Sequence, residues 1–136
     1  MNNTITVAVT INVSSNKVWE YYTNPNYITN WNFAHETWQC PTATNDLWVG
    51  GTYNARMEAK DGSSGFNFEA IYTKLDIGKS FTYKFGNRYA TVLFTPNINT
   101  TELIITFDPE TEHTLEMQKN GWQAILNNFK TYTESN

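Results

Sequence analysis

Few side chains in this sequence stand at the spacings that chemistry requires. The two histidines, His35 and His113, lie far apart in the chain. No HExxH or CxxC spacing accompanies them, so no metal ligand set is assigned. The single cysteine, Cys40, would act as a nucleophile only beside a positive charge or a histidine, and its plainer reading is a buried thiol. Glu36, Asp46 and Glu69 are scattered, whereas acid–base work needs carboxylates gathered in a cleft with shifted pKa values. There is no Gly-x-Ser-x-Gly elbow, no P-loop and no GxGxxG. Gly50-Gly51 reads as a turn before a strand. No catalytic residue, metal or cofactor is assigned.

The aromatic content is the stronger signal. Of 136 residues, 15% are aromatic, with 5 Trp, 8 Tyr and 8 Phe, more than a small core requires. Ligand pockets are mainly apolar, with a few convergent polar groups and volumes above ~300 Å³. Trp31, Phe33, Trp38, Met57, Phe68, Tyr83, Phe94, Trp122 and Ile125 are the candidate lining. Gln118 and the Tyr83 hydroxyl are the candidate polar groups. Composition alone leaves a filled core equally open, with Tyr and Trp finding partners near its rim.

These residues must be carried by identifiable elements. Ile5, Val7, Val9, Ile11 and Val13 alternate with mostly polar neighbours, as in a half-buried strand. Ser14 or Ser15 caps a helix from about Asn16, which Thr23-Asn24-Pro25 stops. Asn24 and Pro25 start a second short helix ending near Trp31. A short strand is expected around Thr37 to Cys40, then a loop through Pro41, Asp46 and Gly50-Gly51. Tyr53 to Lys60 and Phe66 to Thr73 alternate around the turn Asp61-Gly62-Ser63-Ser64. A four-residue turn sets Met57 opposite Phe68, Tyr53 opposite Tyr72 and Arg56 opposite Glu69. A one-residue slip would bury charge, so Met57 and Phe68 should face the core. Three further strands are expected at 79–85, 89–96 and 101–107.

The last segment reads as a helix capped by Thr114 and running to about Tyr132. At 100° per residue Leu115, Trp122, Ile125, Leu126, Phe129 and Thr133 share one face, and Gln118 sits within it. Gly121 costs roughly 1 kcal/mol relative to Ala inside a helix. Its expected role is to let a neighbouring segment approach closely. The expected fold is α+β: a curved antiparallel sheet of six to seven strands, two short helices after strand 1, and a long C-terminal helix over the concave face. No repeat or linker divides residues 1–136, which read as one domain.

Composition excludes several partners. A net charge of -4 without a Lys/Arg cluster suits neither nucleic acid nor an anionic membrane surface. One cysteine allows no intrachain disulfide. Met1 to Thr10 has no basic residue and no apolar run, and no segment approaches the ~18 apolar residues of a membrane span. A cytoplasmic location is therefore expected. The triplets Asn12-Val13-Ser14 and Asn99-Thr100-Thr101 read as chance matches to a glycosylation signal.

Several stretches together resemble a known family. They are Val18-Trp19 with Thr23-Asn24-Pro25, Trp31-Asn32-Phe33-Ala34 with Trp38, Cys40-Pro41, and Asn45-Asp46-Leu47 with Val49-Gly50-Gly51. Met57 to Gly62 and Gly121 to Phe129 complete the set, which spans nearly the whole chain. They resemble single-domain bacterial members of the activator-of-heat-shock-protein-90-ATPase-like family, within the helix-grip superfamily of lipid-transfer and birch-pollen-allergen-like proteins. The resemblance implies a cavity between sheet and long helix. It implies a small apolar or aromatic molecule as partner, with a polyketide-cyclase-like enzyme or a chaperone-interacting protein as alternatives. It carries over no catalytic motif.

Overall fold

The computed structural model describes residues 3–136. They form β1 (Ile5–Ile11), α1 (Ser15–Thr23), α2 (Pro25–Ile28), β2 (Trp38–Gln39), β3 (Ala43–Asn45), β4 (Thr52–Ala59), β5 (Gly65–Asp76), β6 (Ser80–Phe85), β7 (Arg88–Pro96), β8 (Thr101–Phe107) and α3 (Leu115–Ser135). All strands join one antiparallel sheet of order β1-β8-β7-β6-β5-β4-β2, with β3 also paired to β4. This is the helix-grip arrangement expected, with one strand more. β3 was read as loop because three residues after Pro41 display no alternation. Proline lacks the ladder N–H, and so the edge beside β4 breaks into β2 and β3. Arg56 N still donates to Thr42 O across the gap, at 2.9 Å.

Period-two patterning gives the sheet one apolar face. Tyr53, Ala55 and Met57 of β4, Phe81, Tyr83 and Phe85 of β6, and Leu103, Ile105 and Phe107 of β8 are all buried on it. The register of β5 against β6 shifts between Tyr72 and Lys74. Such a bulge bends its strand and increases the local twist, which helps the sheet curl.

The β4–β5 hairpin corrects the expected register. Met57 pairs with Phe66, Ala55 with Phe68, and Tyr53 with Ala70. The turn sits one residue earlier than expected. Ala59 N donates to Ser64 O, and Asp61 Oδ1 accepts from Ser63 N. Moving the turn by one residue shifts each pairing by two, so the faces are kept and the partners change. The Arg56–Glu69 pair is therefore not formed. Arg56 Nε instead meets Glu58 Oε1 at 3.1 Å, and Asn67 is its cross-strand partner. Between β3 and β4, Gly51 must be glycine, because a Cβ there would collide with the Asp46 carbonyl.

The long helix α3 packs chiefly on β1 and also touches α1. Thr114 caps it, its hydroxyl accepting from Met117 N. Leu126, Phe129 and Thr133 are buried, but Leu115 is exposed, because the first turn overhangs the sheet. The helix runs past Tyr132 to Ser135. Glu134 holds its last turn to the residue that follows β1, accepting from Asn12 N at 2.8 Å, and also accepts from Lys130 of the same helix at 2.7 Å. The expected close approach at Gly121 is absent: among the described residues, no atom of another segment lies within 4 Å of where its Cβ would be.

Candidate functional site

Because α3 leans toward β1, its middle does not press on the strands at the far side of the curl. Between them lies a half-enclosed chamber of about 150 Å³. α3 contributes Trp122, Ile125 and Leu126. β4 contributes Tyr53 and Met57, β5 Phe66 and Phe68, β6 Tyr83 and β8 Ile105. Tyr22 of α1 and the Trp31-Asn32 pair after α2 close the remaining side. The volume is smaller than the ~300 Å³ expected, since aromatic side chains occupy much of the space beneath the sheet.

Packing fixes the walls. Trp31 is 2% exposed, stacks on Tyr22 and meets Phe129 edge-on. Its indole N–H donates to Tyr21 O at 3.0 Å. Phe68 lies among Tyr53, Tyr83 and Phe85, with ring centroids 5.1 to 5.9 Å away. Trp122 stacks on Phe107.

Of the residues named from sequence, the chamber brings together Trp31, Met57, Phe68, Tyr83, Trp122 and Ile125. Four others lie elsewhere. Phe94 is buried in the solid core against Trp19, Tyr22 and Phe81. Trp38, on the short edge strand β2, packs beside Phe66 outside the chamber. Phe33 lines a shallow groove with Ala124 and Asn128, on another side of α3. Gln118 is buried outside the chamber, at the wall of an adjoining cleft. Its amide accepts from Glu110 N at 2.8 Å and donates to Glu110 O and His113 O, clamping the loop before α3.

Tyr22, Asn32, Tyr53, Phe66, Ile105 and Leu126 complete the lining. Tyr53 and Ile105 were visible as inward members of alternating strands, and Leu126 as part of the helical stripe. Tyr22 shares the apolar stripe of the first short helix with Val18 and Trp19, which gives its face but not its reach, and Asn32 carried no periodic signal.

The chamber's chemistry is phenolic. Among the described residues, no carboxylate or imidazole lines it. Burial pushes Tyr53 and Tyr83 well above the ordinary phenol range, and Tyr22 is raised for the same reason. These hydroxyls stay protonated and are hydrogen-bond donors. Asn32 Nδ2 donates to Tyr53 Oη at 3.3 Å and lies 4.0 Å from Cys40 Sγ. Cys40 is buried, and desolvation raises its thiol, the opposite of what a nucleophile needs.

A wider open cleft of about 510 Å³ adjoins the chamber and shares Phe66, Phe68 and Trp122 with it. Arg88, Glu110, His113 and Gly121 line this cleft. Arg88 stands over the Phe85 ring, 4.8 Å from its centroid, and its Nε donates to Asp108 O. Glu110, Glu112 and His113 come near enough to share an ion. However, Glu110 is already bound to the His113 ring and backbone N–H, and Glu112 is exposed.

Comparison with known proteins agrees with this architecture. The family model for activator of Hsp90 ATPase homolog 1-like protein matches residues 12–134. A solution structure of a protein from Cytophaga hutchinsonii is 42% identical, with a TM-score of 0.83, and covers 96% of this chain and 92% of its own. The AHSA1-like protein from Aeromonas hydrophila is 34% identical, with a TM-score of 0.88, and covers 96% and 93%. A crystal structure from Chromobacterium violaceum shares the fold at 23% identity and a TM-score of 0.84, over 97% and 98%. No curated protein matches the chain. Among the described residues, no helix is long and apolar enough to cross a membrane.

Proposed function

The chain belongs to the activator of Hsp90 ATPase homolog 1-like family, and on that premise we propose that it binds a small apolar or aromatic molecule between sheet and α3. The observation that carries this reading is the half-enclosed chamber of about 150 Å³, walled by Trp31, Phe68, Trp122, Ile125 and Leu126. An apolar cavity of that size is large enough for one aromatic ring. Its apolar walls would reward an apolar guest by roughly 25 cal/mol for each Å² of apolar surface removed from water. The adjoining cleft gives a longer ligand room to extend toward solvent.

Binding, rather than acid–base catalysis, fits this chamber best. A cyclase-type reaction calls for a poised carboxylate or imidazole, and the lining supplies phenols and one amide. Trp31 and Trp122 both face the space, so intrinsic fluorescence reports on it directly. Titration with benzene-sized aromatics, flavonoids, fatty acids and sterols tests the reading. Saturable quenching by single-ring compounds, without a response to sterols too bulky for the chamber, is expected. A flat response across the whole panel would remove the proposal.

A further inference from the structure

Three phenols from three elements meet in the chamber: Tyr22 of α1, Tyr53 of β4 and Tyr83 of β6. The Tyr53 and Tyr83 ring centroids are 5.7 Å apart. Tyr53 Oη already accepts from Asn32 Nδ2, so its own proton is left to donate elsewhere. Tyr83 is only 5% exposed, and its hydroxyl makes no hydrogen bond among the described residues. Yet it is not walled in. The buried side-chain atom without a partner, among the described residues, is Thr133 Oγ1, remote from this site. The Tyr83 hydroxyl is thus not among the fully buried orphan groups, and its side chain lines the chamber. A largely enclosed hydroxyl with no protein acceptor has a hydrogen bond left to give, and a guest able to accept it is favoured over one that cannot.

The charges at this pole narrow the guest further. Among the described residues, no cation lines the chamber to balance a buried carboxylate, and no anion to balance an ammonium. A neutral acceptor oxygen satisfies the phenol donors without burying charge. Resting on the small-molecule reading above, we infer that the ligand class is a ring or short apolar body bearing a neutral carbonyl oxygen. This is a ketone, aldehyde or amide whose oxygen is set against the Tyr83 and Tyr53 hydroxyls. Its apolar part lies against Phe68, Trp122, Ile125 and Leu126.

The test compares acetophenone with ethylbenzene on the wild-type chain and on Tyr83→Phe and Tyr53→Phe, using Trp fluorescence for affinity. Acetophenone is expected to bind roughly tenfold more tightly than ethylbenzene to the wild type. Tyr83→Phe should lower acetophenone affinity several-fold while leaving ethylbenzene unchanged or tighter. The infrared carbonyl stretch of bound acetophenone should move to lower frequency in the wild type and return toward its apolar-solvent value in Tyr83→Phe. Equal binding of the two compounds by the wild type overturns the inference while leaving the chamber reading intact, and does so whether or not either variant folds. An unshifted carbonyl band in the wild type overturns it in the same way. Binding of neither compound removes both readings together.

Discussion

The indole of Trp122 lies flat on the ring of Phe107, with centroids 3.9 Å apart and planes only 10° from parallel. One face of Trp122 is thus fixed by β8, while the side chain also lines both chamber and cleft. Trp122 joins the helix to the sheet at the point where the cavity begins. Trp122→Ala should lower the unfolding free energy by about 3 kcal/mol, toward the low end for buried aromatics because this side chain is half-buried. Trp122→Phe should cost about half as much. Urea unfolding of the two variants, with m-values compared, checks both expectations.

Gly121, beside it, has a different meaning from the one its sequence position suggests. Among the described residues, no atom of another segment lies within 4 Å of a Cβ placed there, and its backbone is helical. Gly121→Ala should therefore raise stability by about 0.5–1 kcal/mol through the unfolded state and helix propensity. A rise in midpoint denaturant concentration at constant m-value is the expected reading. A fall would mean that some contact there has been missed.

Cys40 should be inert in the native protein. It is 1% exposed, and burial raises its thiol. Ellman's reagent at pH 8 is expected to react only as fast as the chain opens, and promptly once denaturant is added. Immediate labelling of the native protein would contradict the packing around Asn32 and Tyr53.

Glu134 supplies a pH-dependent tie between α3 and Asn12, just after β1. The Asn12 N–H, then Lys130, hold its carboxyl below the ordinary value of 4.5. A depressed carboxylate stabilises the fold above its unfolded pKa, and the contribution is lost as pH falls through the folded value. Glu134→Gln should thus destabilise by less than ~1 kcal/mol at pH 7, because the pair is partly solvated. The difference from wild type should narrow as pH falls below the ordinary carboxyl value of 4.5. Denaturation midpoints at pH 7, 5 and 3.5 measure it.

The fold was legible wherever periodicity ran long enough to declare itself. Thr101 to Phe107 alternates cleanly and is a strand with the expected bounds. Trp122, Leu126 and Phe129 recur at helical spacing and face the sheet. β3 was not legible, because Ala43–Asn45 is too short for a period and follows a proline. The hairpin showed its faces but not its partners: alternation fixes parity, and only the turn, set by Asp61 and Ser63, fixes register. The site obeyed the same limit. Phe94 and Tyr83 both point inward from neighbouring strands, yet Phe94 meets Trp19 and Tyr22 while Tyr83 meets open space. Sequence pattern assigns a side chain to a face and does not say how deep along the strand the covering helices reach. Gln118 shares the apolar face of α3, but its hydrogen bonds run along the chain to residues 110 and 113, a local closure that periodicity does not encode.

The most direct test is a methyl NMR titration with toluene. The methyl groups of Met57, Ile105, Ile125 and Leu126 line the chamber, whereas Ile98 is 97% exposed and Val49 lies in an open loop. Saturable shifts confined to the first group are the expected result. Shifts that are absent up to the solubility of toluene, or equally large at Ile98 and Val49, would contradict an internal binding space.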